Sequence, residues 1–382
     1  SGPSAPGIGA ELLDEMPAPR MADFAGFKDA AGEAIDTGLV LYFPAPNSFT
    51  GEHVLELQCH GSPVICDLLI ERICELGARL AEPGEFSQRA FLNDKLDLTQ
   101  AEAIADLIDS GSRTAARAAS RSLQGEFARL VNDLNNDVTA LRVHVEAAID
   151  FPEEEIDFLS DAKLVERIDA LATRFAAIAT TVEQGCLLRD GVTVVIAGLP
   201  NAGKSSLLNA LAGYDAAIVT DIAGTTRDLI REEIEFDGLP VRVIDTAGLR
   251  QSVDRVEEEG VRRAREQLAC ADHAIVVVDA DTITADELAG LLAELPEGVS
   301  HTIVRNKIDL LAERTGAEGD TVSISALTGA GIDLLRNHLT TQLGYVASEG
   351  AVTARRRPLE SLAKARRHFA AARQVLGRVY TS

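Results

Sequence analysis

The chain has 382 residues, of which 46% are hydrophobic and 25% charged, and its formal net charge is −24. This length predicts two or three domains, the absence of an apolar run of about 18 residues excludes a membrane-spanning helix, and the acidic charge excludes indiscriminate binding to nucleic acid. Five cysteines without metal-ligand spacing, and an N-terminus without a secretory signal pattern, predict a cytoplasmic protein.

The first 93 residues alternate short strand-like segments with turn residues. Residues 39–43 and 54–58 are rich in branched and aromatic side chains, and Pro44 to Ser48 between them is typical of a turn. A helix is predicted over residues 64–76. Residues 1–93 are therefore predicted to form a small α+β domain.

Residues 94–189 have a helical pattern. Apolar side chains recur at steps of three and four from Leu123 to Ala148, which predicts one long amphipathic helix. Phe151 and Pro152 end that helix, and the same pattern returns from Leu164 to Val182. We predict the first half of a helical domain here.

From residue 190 to 346, strands alternate with helices. Strands are predicted at 192–197, 232–236, 241–244, 274–279, 302–305 and 322–324. This alternation indicates a mostly parallel sheet with helices on both faces. A helical period returns at residues 359–376, so residues 347–382 are predicted to be the incomplete second half of the helical domain, into which the α/β domain is inserted.

The segment from Gly198 to Ser205 has the pattern G-x-x-x-x-G-K-S, directly after the strand 192–197 and before a helix that starts near Ser206. In this context the backbone amides and the helix N-terminus bind phosphate oxygens. Lys204 would reach the outer phosphates, and the Ser205 hydroxyl would be a ligand of Mg²⁺. The sequence therefore predicts a nucleoside triphosphate site.

Four further motifs follow in the order found in GTPases. They are the polar loop Asp221–Asp228, in which Thr226 would complete the Mg²⁺ shell, the D-x-x-G motif Asp245–Gly248, the N-K-x-D motif Asn306–Asp309, and Ser325–Leu327. The Asp309 carboxylate can accept from N1–H and N2–H₂ of guanine, and adenine lacks both donors, so ATP would leave the carboxylate unpaired. A backbone amide of Ser325–Leu327 would donate to guanine O6. Together these motifs favour GTP over ATP.

Two positions bear on hydrolysis. Leu249 occupies the place where Ras-like enzymes have a glutamine that orients water, so another group must do this. A glutamate of residues 255–259 could act through a water, although from the residues alone charges on a surface helix are the simpler interpretation of these side chains. The Asn201 amide oxygen could help to hold a monovalent cation beside the phosphates, or Asn201 could be an ordinary loop residue.

The chain resembles the MnmE (TrmE) family of tRNA-modification GTPases from about residue 20 to 378. The resemblance is carried by six segments: 43–52, 83–87, 89–97, 100–108, 146–152 and 198–210. It implies an N-terminal domain that binds folate and dimerises, a helical domain, and a Ras-like domain inserted in it.

The family resemblance also implies cofactors and partners. It implies 5,10-methylene- or 5-formyl-tetrahydrofolate on Glu56 and Lys95, whose simpler interpretations are a strand-edge carboxylate and an exposed lysine. It implies K⁺ held by Asn201, Thr220, Ile222 and Thr225, and Glu257 as the catalytic carboxylate. Its partners would be a second copy of the chain, tRNA and an FAD-dependent subunit of the MnmG (GidA) type in a heterotetramer.

The motifs and the resemblance together predict a GTP site and two metal sites. Mg²⁺ would bind Ser205 and Thr226. The predicted GTP-binding residues are Asn201, Ala202, Gly203, Lys204, Ser205, Ser206, Thr220, Asp221, Ile222, Ala223, Gly224, Thr225, Thr226, Asp245, Thr246, Ala247, Gly248, Asn306, Lys307, Asp309, Ser325, Ala326 and Leu327.

The sequence departs from the family pattern at both ends. The first strand of the family, with an arginine that contacts folate, and the C-terminal Cys-x-Gly-Lys are both absent, so we expect a chain truncated at both ends. Two other functions stay open from the motifs: a GTP-dependent switch for ribosome assembly that binds RNA without modifying it, and a folate-dependent aminomethyltransferase with a regulatory GTPase.

Overall fold

The computed structural model describes residues 1–150, 162–214, 231–245, 271–296, 298–311, 313–347 and 350–380. The chain divides into two units, Ser1–Ala105 and Asp106–Ser382. The domain boundaries predicted from the sequence stay predictions.

The first unit contains a three-stranded antiparallel sheet in the order β1-β2-β3, with helices that cover its apolar side. Leu12, Phe27, Val40 and Leu69 form the buried core. The predicted strands 39–43 and 54–58 and the predicted helix are confirmed, whereas β1 and α1 were not predicted. The elements are α1 (Ala5–Leu12), β1 (Ala22–Lys28), β2 (Ala34–Phe43), β3 (Val54–Gln58), α2 (Pro63–Glu75), α3 (Glu85–Leu92) and α4 (Leu98–Ile108), the last of which ends in the second unit.

Three helices precede the large sheet: α5 (Arg113–Leu123), α6 (Glu126–Asp150) and α7 (Ala162–Asp190). The prediction that one helix runs from Leu123 is wrong at its start. Gly125 has a φ of +80°, a left-handed conformation that glycine adopts without strain, and it separates α5 from α6. From Glu126 onward the predicted amphipathic helix is confirmed.

The large sheet has seven strands in the order β5-β6-β4-β7-β8-β10-β9. The five inner strands are parallel, and β5 and β9 pair antiparallel at the two edges. All six predicted strands are confirmed. The strands are β4 (Val192–Ala197), β5 (Arg231–Phe236), β6 (Leu239–Asp245), β7 (His273–Asp279), β8 (Ser300–Asn306), β9 (Gly316–Glu318) and β10 (Thr321–Ser323). Among the described residues, the α-helices α8 (Lys204–Tyr214) and α9 (Ala285–Ala293) lie between strands, and α10 (Ile332–Gln342) follows β10.

A final helix, α11 (Arg356–Tyr380), packs against α7. The Phe175 and Phe369 rings lie 5.2 Å apart, and Val352 and Ala354, just before α11, are buried in the same core as Phe127 of α6. Helices from before and after the α/β segment in the sequence thus pack into one helical core. This confirms the predicted multidomain α+β and α/β architecture, with a phosphate-loop domain inserted in a helical one.

Within the described part of the chain, no helix combines the length and the apolar character that a membrane span requires.

Candidate nucleotide-binding site

The loop Gly198–Lys204 leaves the carboxyl end of β4, a central strand of the parallel sheet. Gly198 has a φ of +145°, and a Cβ there would lie 2.1 Å from the Val277 carbonyl oxygen of β7. Only glycine lets the chain turn so close to the neighbouring strand. Asn201 also has a positive φ, of 63°, and its side chain is exposed.

Lys204, the first residue of α8, lies across this loop. Its side chain is buried, and its Nζ donates to the carbonyl oxygens of Gly198 at 2.9 Å and Leu199 at 2.8 Å. These contacts hold a positive charge beside the loop at the N-terminus of α8, where the helix dipole also favours an anion. The arrangement suits a phosphate chain.

Asn306, at the end of β8, joins the phosphate loop to the loop after β10. Its Nδ2 donates to the Ala202 carbonyl oxygen at 2.9 Å, and its Oδ1 accepts from the Ala326 amide at 2.9 Å. The side chain is buried. A Cβ at Gly203 would lie 2.2 Å from Nδ2, so the loop can approach Asn306 only because residue 203 is glycine. Asn306 thus fixes three predicted site segments relative to one another.

Lys307 and Asp309 follow at the start of a short 3₁₀-helix, Ile308–Leu310. Lys307 has a φ of 68°, and its Nζ lies 2.7 Å from Oδ2 of Asp279, at the end of β7. The hydrogen bond from Lys307 lowers the pKa of the Asp279 carboxyl. The prediction missed Asp279, although its place at the end of a buried strand marks it. Asp309 is exposed, and its carboxylate accepts no hydrogen bond from the residues that the structure describes.

The segment Ser325–Leu327 lies directly after β10. The Ser325 amide donates to the Ala330 carbonyl oxygen at 2.9 Å, and the Ala326 amide is taken by Asn306. Within the described residues, the Leu327 amide has no acceptor, and its side chain is 85% exposed. Of the three amides predicted to serve a base, Leu327 N is the one that is not already used.

The predicted metal ligands are described only in part. Ser205 and Ser206 are exposed in the first turn of α8, next to the phosphate loop, so the Ser205 hydroxyl fits one ligand of Mg²⁺. No group of three His, Cys, Asp or Glu side chains in the described ranges could hold a metal ion. The other predicted residues, Thr220–Thr226, Thr246–Gly248, Leu249 and Glu257, and the side chain of Asp245, lie outside what the structure describes.

In the first unit, the two predicted folate residues lie apart from its cavity. Glu56 is exposed on β3, between Leu55 and Leu57, which line a cavity of about 310 Å³. Lys95 is exposed and its Nζ donates to the Pro46 carbonyl oxygen at 3.2 Å. Neither Glu56 nor Lys95 lines the cavity.

An ionic network that was not predicted lies at that cavity instead. Glu85, the first residue of α3, accepts from Arg79 at 2.6 and 2.9 Å and from Arg89 at 2.7 and 3.0 Å, and Arg89 also binds Glu52 at 2.8 Å. The Arg79 hydrogen bonds, with the Glu82 amide and Arg89, lower the pKa of Glu85 to about 2. Two guanidinium groups thus border this cavity.

Two family models together match nearly the whole chain. Residues 98–379 match the model described as the MnmE helical domain, and residues 1–95 match that of the GTP-binding protein TrmE N-terminus. The chain belongs to the MnmE (TrmE) family. This membership confirms the family resemblance in the sequence and makes the chain a member of a GTPase family.

Three solved structures that match this MnmE-family chain are each similar to a part of it. Era from Aquifex aeolicus, bound to GDP·AlF₄⁻, is 28% identical over 41% of this chain and 57% of its own, with a TM-score of 0.32. The G domain of the T. maritima FeoB iron transporter is 26% identical over 40% of this chain and 98% of its own, with a TM-score of 0.30. A GTP-binding protein from Sulfolobus solfataricus in complex with GDP is 19% identical over 70% and 79%, with a TM-score of 0.31.

The chain spans 57% of the length of the Era chains that it matches. Because the TM-scores are low, the assignment to the MnmE family rests on the two family models.

Proposed function

We propose that this MnmE-family chain hydrolyses GTP to GDP and phosphate. The observation that carries the proposal is the buried Asn306 side chain, which holds the phosphate loop at Ala202 and the loop at Ala326 together. In this proposal, a triphosphate bound on the loop Gly198–Lys204 would have its base directed to the segment Asn306–Asp309. The link through Asn306 supports one nucleotide site rather than separate loops.

Guanine is favoured by the groups left free at the base end. The exposed Asp309 carboxylate can accept two hydrogen bonds from the N1–H and N2–H₂ edge, and the Leu327 amide can donate to O6. Adenine has an amino group where guanine has O6 and no donors for Asp309. ATP would therefore lack both hydrogen bonds that guanine donates to Asp309 and the one that it accepts from the Leu327 amide.

We assign phosphate binding, metal binding and orientation of the attacking water to separate residues of this chain. Lys204 and the N-terminus of α8 bind the phosphates, and Ser205 would hold Mg²⁺ together with Thr226. The metal would neutralise charge on the phosphates when bound. K⁺, held by Asn201 with Thr220, Ile222 and Thr225, would activate hydrolysis as two G domains dimerise, and Glu257 would orient the attacking water.

The test compares GTP hydrolysis in K⁺ and in Na⁺ at equal ionic strength. We expect a rate at least about tenfold higher in K⁺, lost in Asn201→Ala because the cation then has no amide ligand. Glu257→Ala should lower kcat with GTP binding retained. Glu258→Ala, the neighbouring carboxylate, is the matched control. Equal rates in the two salts would refute the K⁺ site, and ATP binding as tight as that of GTP would refute the base assignment.

We further propose that GTP hydrolysis drives addition of a (carboxymethyl)aminomethyl group at C5 of the tRNA wobble uridine. Family membership supports this step, with an FAD-dependent subunit as partner and a tetrahydrofolate as one-carbon donor, in the cytoplasm. Purified chain, that subunit with FAD and a reduced nicotinamide, tRNA, a tetrahydrofolate as the one-carbon source, ammonium or glycine as the nitrogen source, and GTP should yield the modified nucleoside by mass spectrometry. A product formed equally well without GTP would refute the coupling.

A further inference from the structure

The β5–β6 hairpin ends in a two-residue turn, Asp237–Gly238. Both residues have positive φ, 51° and 95°, and Phe236 pairs with Leu239 as the last rung of the ladder. Such a turn matches the twist of the strands and makes a stiff hairpin. Phe236 and Leu239 are buried, so the turn end is fixed in the core.

A single hydroxyl joins this turn to α5. Ser112 is the N-cap of α5: its Oγ accepts from the Ala115 amide at 3.0 Å and donates to the Gly238 carbonyl oxygen at 2.8 Å. Ser112 is buried. A Cβ at Gly238 would lie 2.3 Å from Thr114 Oγ1, so the turn is in close contact with the first turn of α5.

The other side of the turn contacts α10 and the segment after it. Arg336 lies 3.6 Å from Oδ1 of Asp237, with its guanidinium 5.9 Å from the centre of the Phe236 ring. The Tyr345 hydroxyl donates to the Asp237 carbonyl oxygen at 3.4 Å, and Tyr345 is buried. The turn is therefore held between two helices and cannot move without changing these contacts.

The opposite end of the hairpin leads to the nucleotide site. β5 begins at Arg231, three residues after the predicted switch loop that ends at Asp228, and β6 ends at Asp245, the first residue of the D-x-x-G motif. β6 pairs with β4, which carries the phosphate loop. A strand of this length spans about 20 Å, so the hairpin connects the predicted switch segments to α5 in one stiff piece.

We propose that the hydrogen bond from Ser112 to Gly238 couples the nucleotide state of the site to α5. The proposal rests on the proposed GTP site. Ser112 is a positioning residue: it touches no nucleotide, and it acts through the hairpin. In this proposal the hairpin holds different positions in the GDP and GTP states, so the Ser112 hydrogen bond to Gly238 is stronger in one state than in the other. Linkage requires the reverse effect as well, so losing the bond changes the ratio of GTP to GDP affinity.

Amide hydrogen exchange on the full chain tests the coupling, with GDP or a non-hydrolysable GTP analogue at saturation. In the wild type, we expect exchange of the amides of residues 113–117 to differ between the two states by about fivefold or more. Ser112→Gly should remove this difference. Glycine is a tolerated N-cap, so the helix is kept while the hydroxyl is lost.

Ser122→Ala is the matched control. Ser122 is a buried serine of the same helix, and its Oγ donates to the Thr353 carbonyl oxygen at 3.0 Å rather than to the hairpin. This variant should keep the difference between nucleotide states. A purely structural role for Ser112 would leave the difference in Ser112→Gly unchanged, which would overturn the proposal.

The outcomes separate this proposal from the GTP site itself. Saturable binding of both nucleotides with identical exchange of α5 overturns the coupling and leaves the GTPase proposal standing. Failure of either nucleotide to bind, measured by titration of a fluorescent analogue, overturns both. A GTP-to-GDP affinity ratio that is the same in wild type and Ser112→Gly also overturns the coupling.

Discussion

Asn306 has a larger part in the site than its place in the N-K-x-D motif suggests. An asparagine amide offers a donor and an acceptor on one planar group, and here they bind Ala202 and Ala326. Neither contact leaves the protein. The side chain therefore positions the two loops of the site and does not contact the base in this role.

Asn306→Ala should lower GTP affinity by about tenfold or more, because a buried carbonyl oxygen and a buried amide lose their partners and the two loops separate. Titration of a fluorescent guanine nucleotide measures this. The control is Asn337→Ala, an exposed asparagine of α10, which should bind nucleotide as the wild type does. Unchanged affinity in Asn306→Ala would show that the two loops hold their positions without it.

Asp309 is the residue that should decide which base is bound. Asp309→Asn replaces an acceptor by an amide whose NH₂ faces the guanine donors, so GTP affinity should fall about 100-fold. Xanthine carries an oxygen where guanine has N2, so xanthosine triphosphate should bind the variant better than it binds the wild type. Asp320→Asn, at an exposed position, is the control. If Asp309→Asn still bound GTP more tightly than xanthosine triphosphate, to the same extent as the wild type, Asp309 would be excluded from base recognition.

Individual residues also show where sequence reasoning stopped. The phosphate loop, Asn306 and Asp309 were predictable because a short motif at a strand end fixes them. The pairing of Ser112 with Gly238 was not, because the two residues are 126 positions apart and neither belongs to a motif. Asp279 was missed for a related reason, since its partner Lys307 lies after the next strand, β8.

At the scale of elements, the amino end of β7 is joined to β8 through a histidine. His273 is buried, with Nδ1 2.7 Å from the Ser300 hydroxyl and Nε2 2.8 Å from the Thr302 hydroxyl. Burial lowers its pKa to about 4, with smaller contributions from His301 and His338. The neutral ring is thus part of the folded sheet at neutral pH.

This histidine should make the unfolding free energy depend on pH. Between pH 6.5 and about 4 the unfolded chain takes up a proton at His273 that the folded chain does not. Its contribution is therefore complete above pH 6.5 and is lost as the pH falls toward 4. Urea unfolding across this range should show a smaller pH dependence in His273→Gln than in the wild type, and His368→Gln, exposed on α11, should behave as the wild type.

Elements were predicted best where their pattern is long. The six strands with apolar runs were all found, and α7 was found from its period. β9 was missed because its three residues are all exposed and carry no apolar signal. The start of α6 was placed too early because Leu123 continues the period by chance across Gly125, where the backbone turns.

At the scale of the whole molecule, the described nucleotide residues all belong to the second unit. A ligand that binds only the folded state stabilises it by mass action. GDP at about 100 times its Kd should therefore raise the free energy of unfolding of that unit by about 2.7 kcal/mol. Calorimetry with and without GDP measures this. The same GDP concentration should stabilise a Lys204→Ala variant less, because the variant lacks the phosphate contact and binds GDP with a higher Kd. A shift in Lys204→Ala equal to that of the wild type would place the GDP elsewhere.

The overall architecture could be predicted because the helical segments and the alternating strands and helices each have a distinct pattern of apolar residues. The side-chain contacts between these elements could not be predicted. The return of the helical pattern near residue 359 predicted a further helical segment, and the structure has α11 there, packed against α7. The contacts between α11 and α7, such as that of Phe369 with Phe175, depend on tertiary packing. No local sequence pattern predicts them.

The Asn306 link also sets an order of events during synthesis. Ala202 and Asn306 are 104 residues apart, and at about 5–20 residues per second a ribosome needs several seconds or more to add that stretch. A nascent chain in which the phosphate loop has left the ribosome still lacks Asn306, whose side chain holds that loop in place. We therefore expect ribosome-bound chains to capture guanine nucleotide only after β8 and β10 have emerged, so that the first nucleotide bound marks a completed α/β domain.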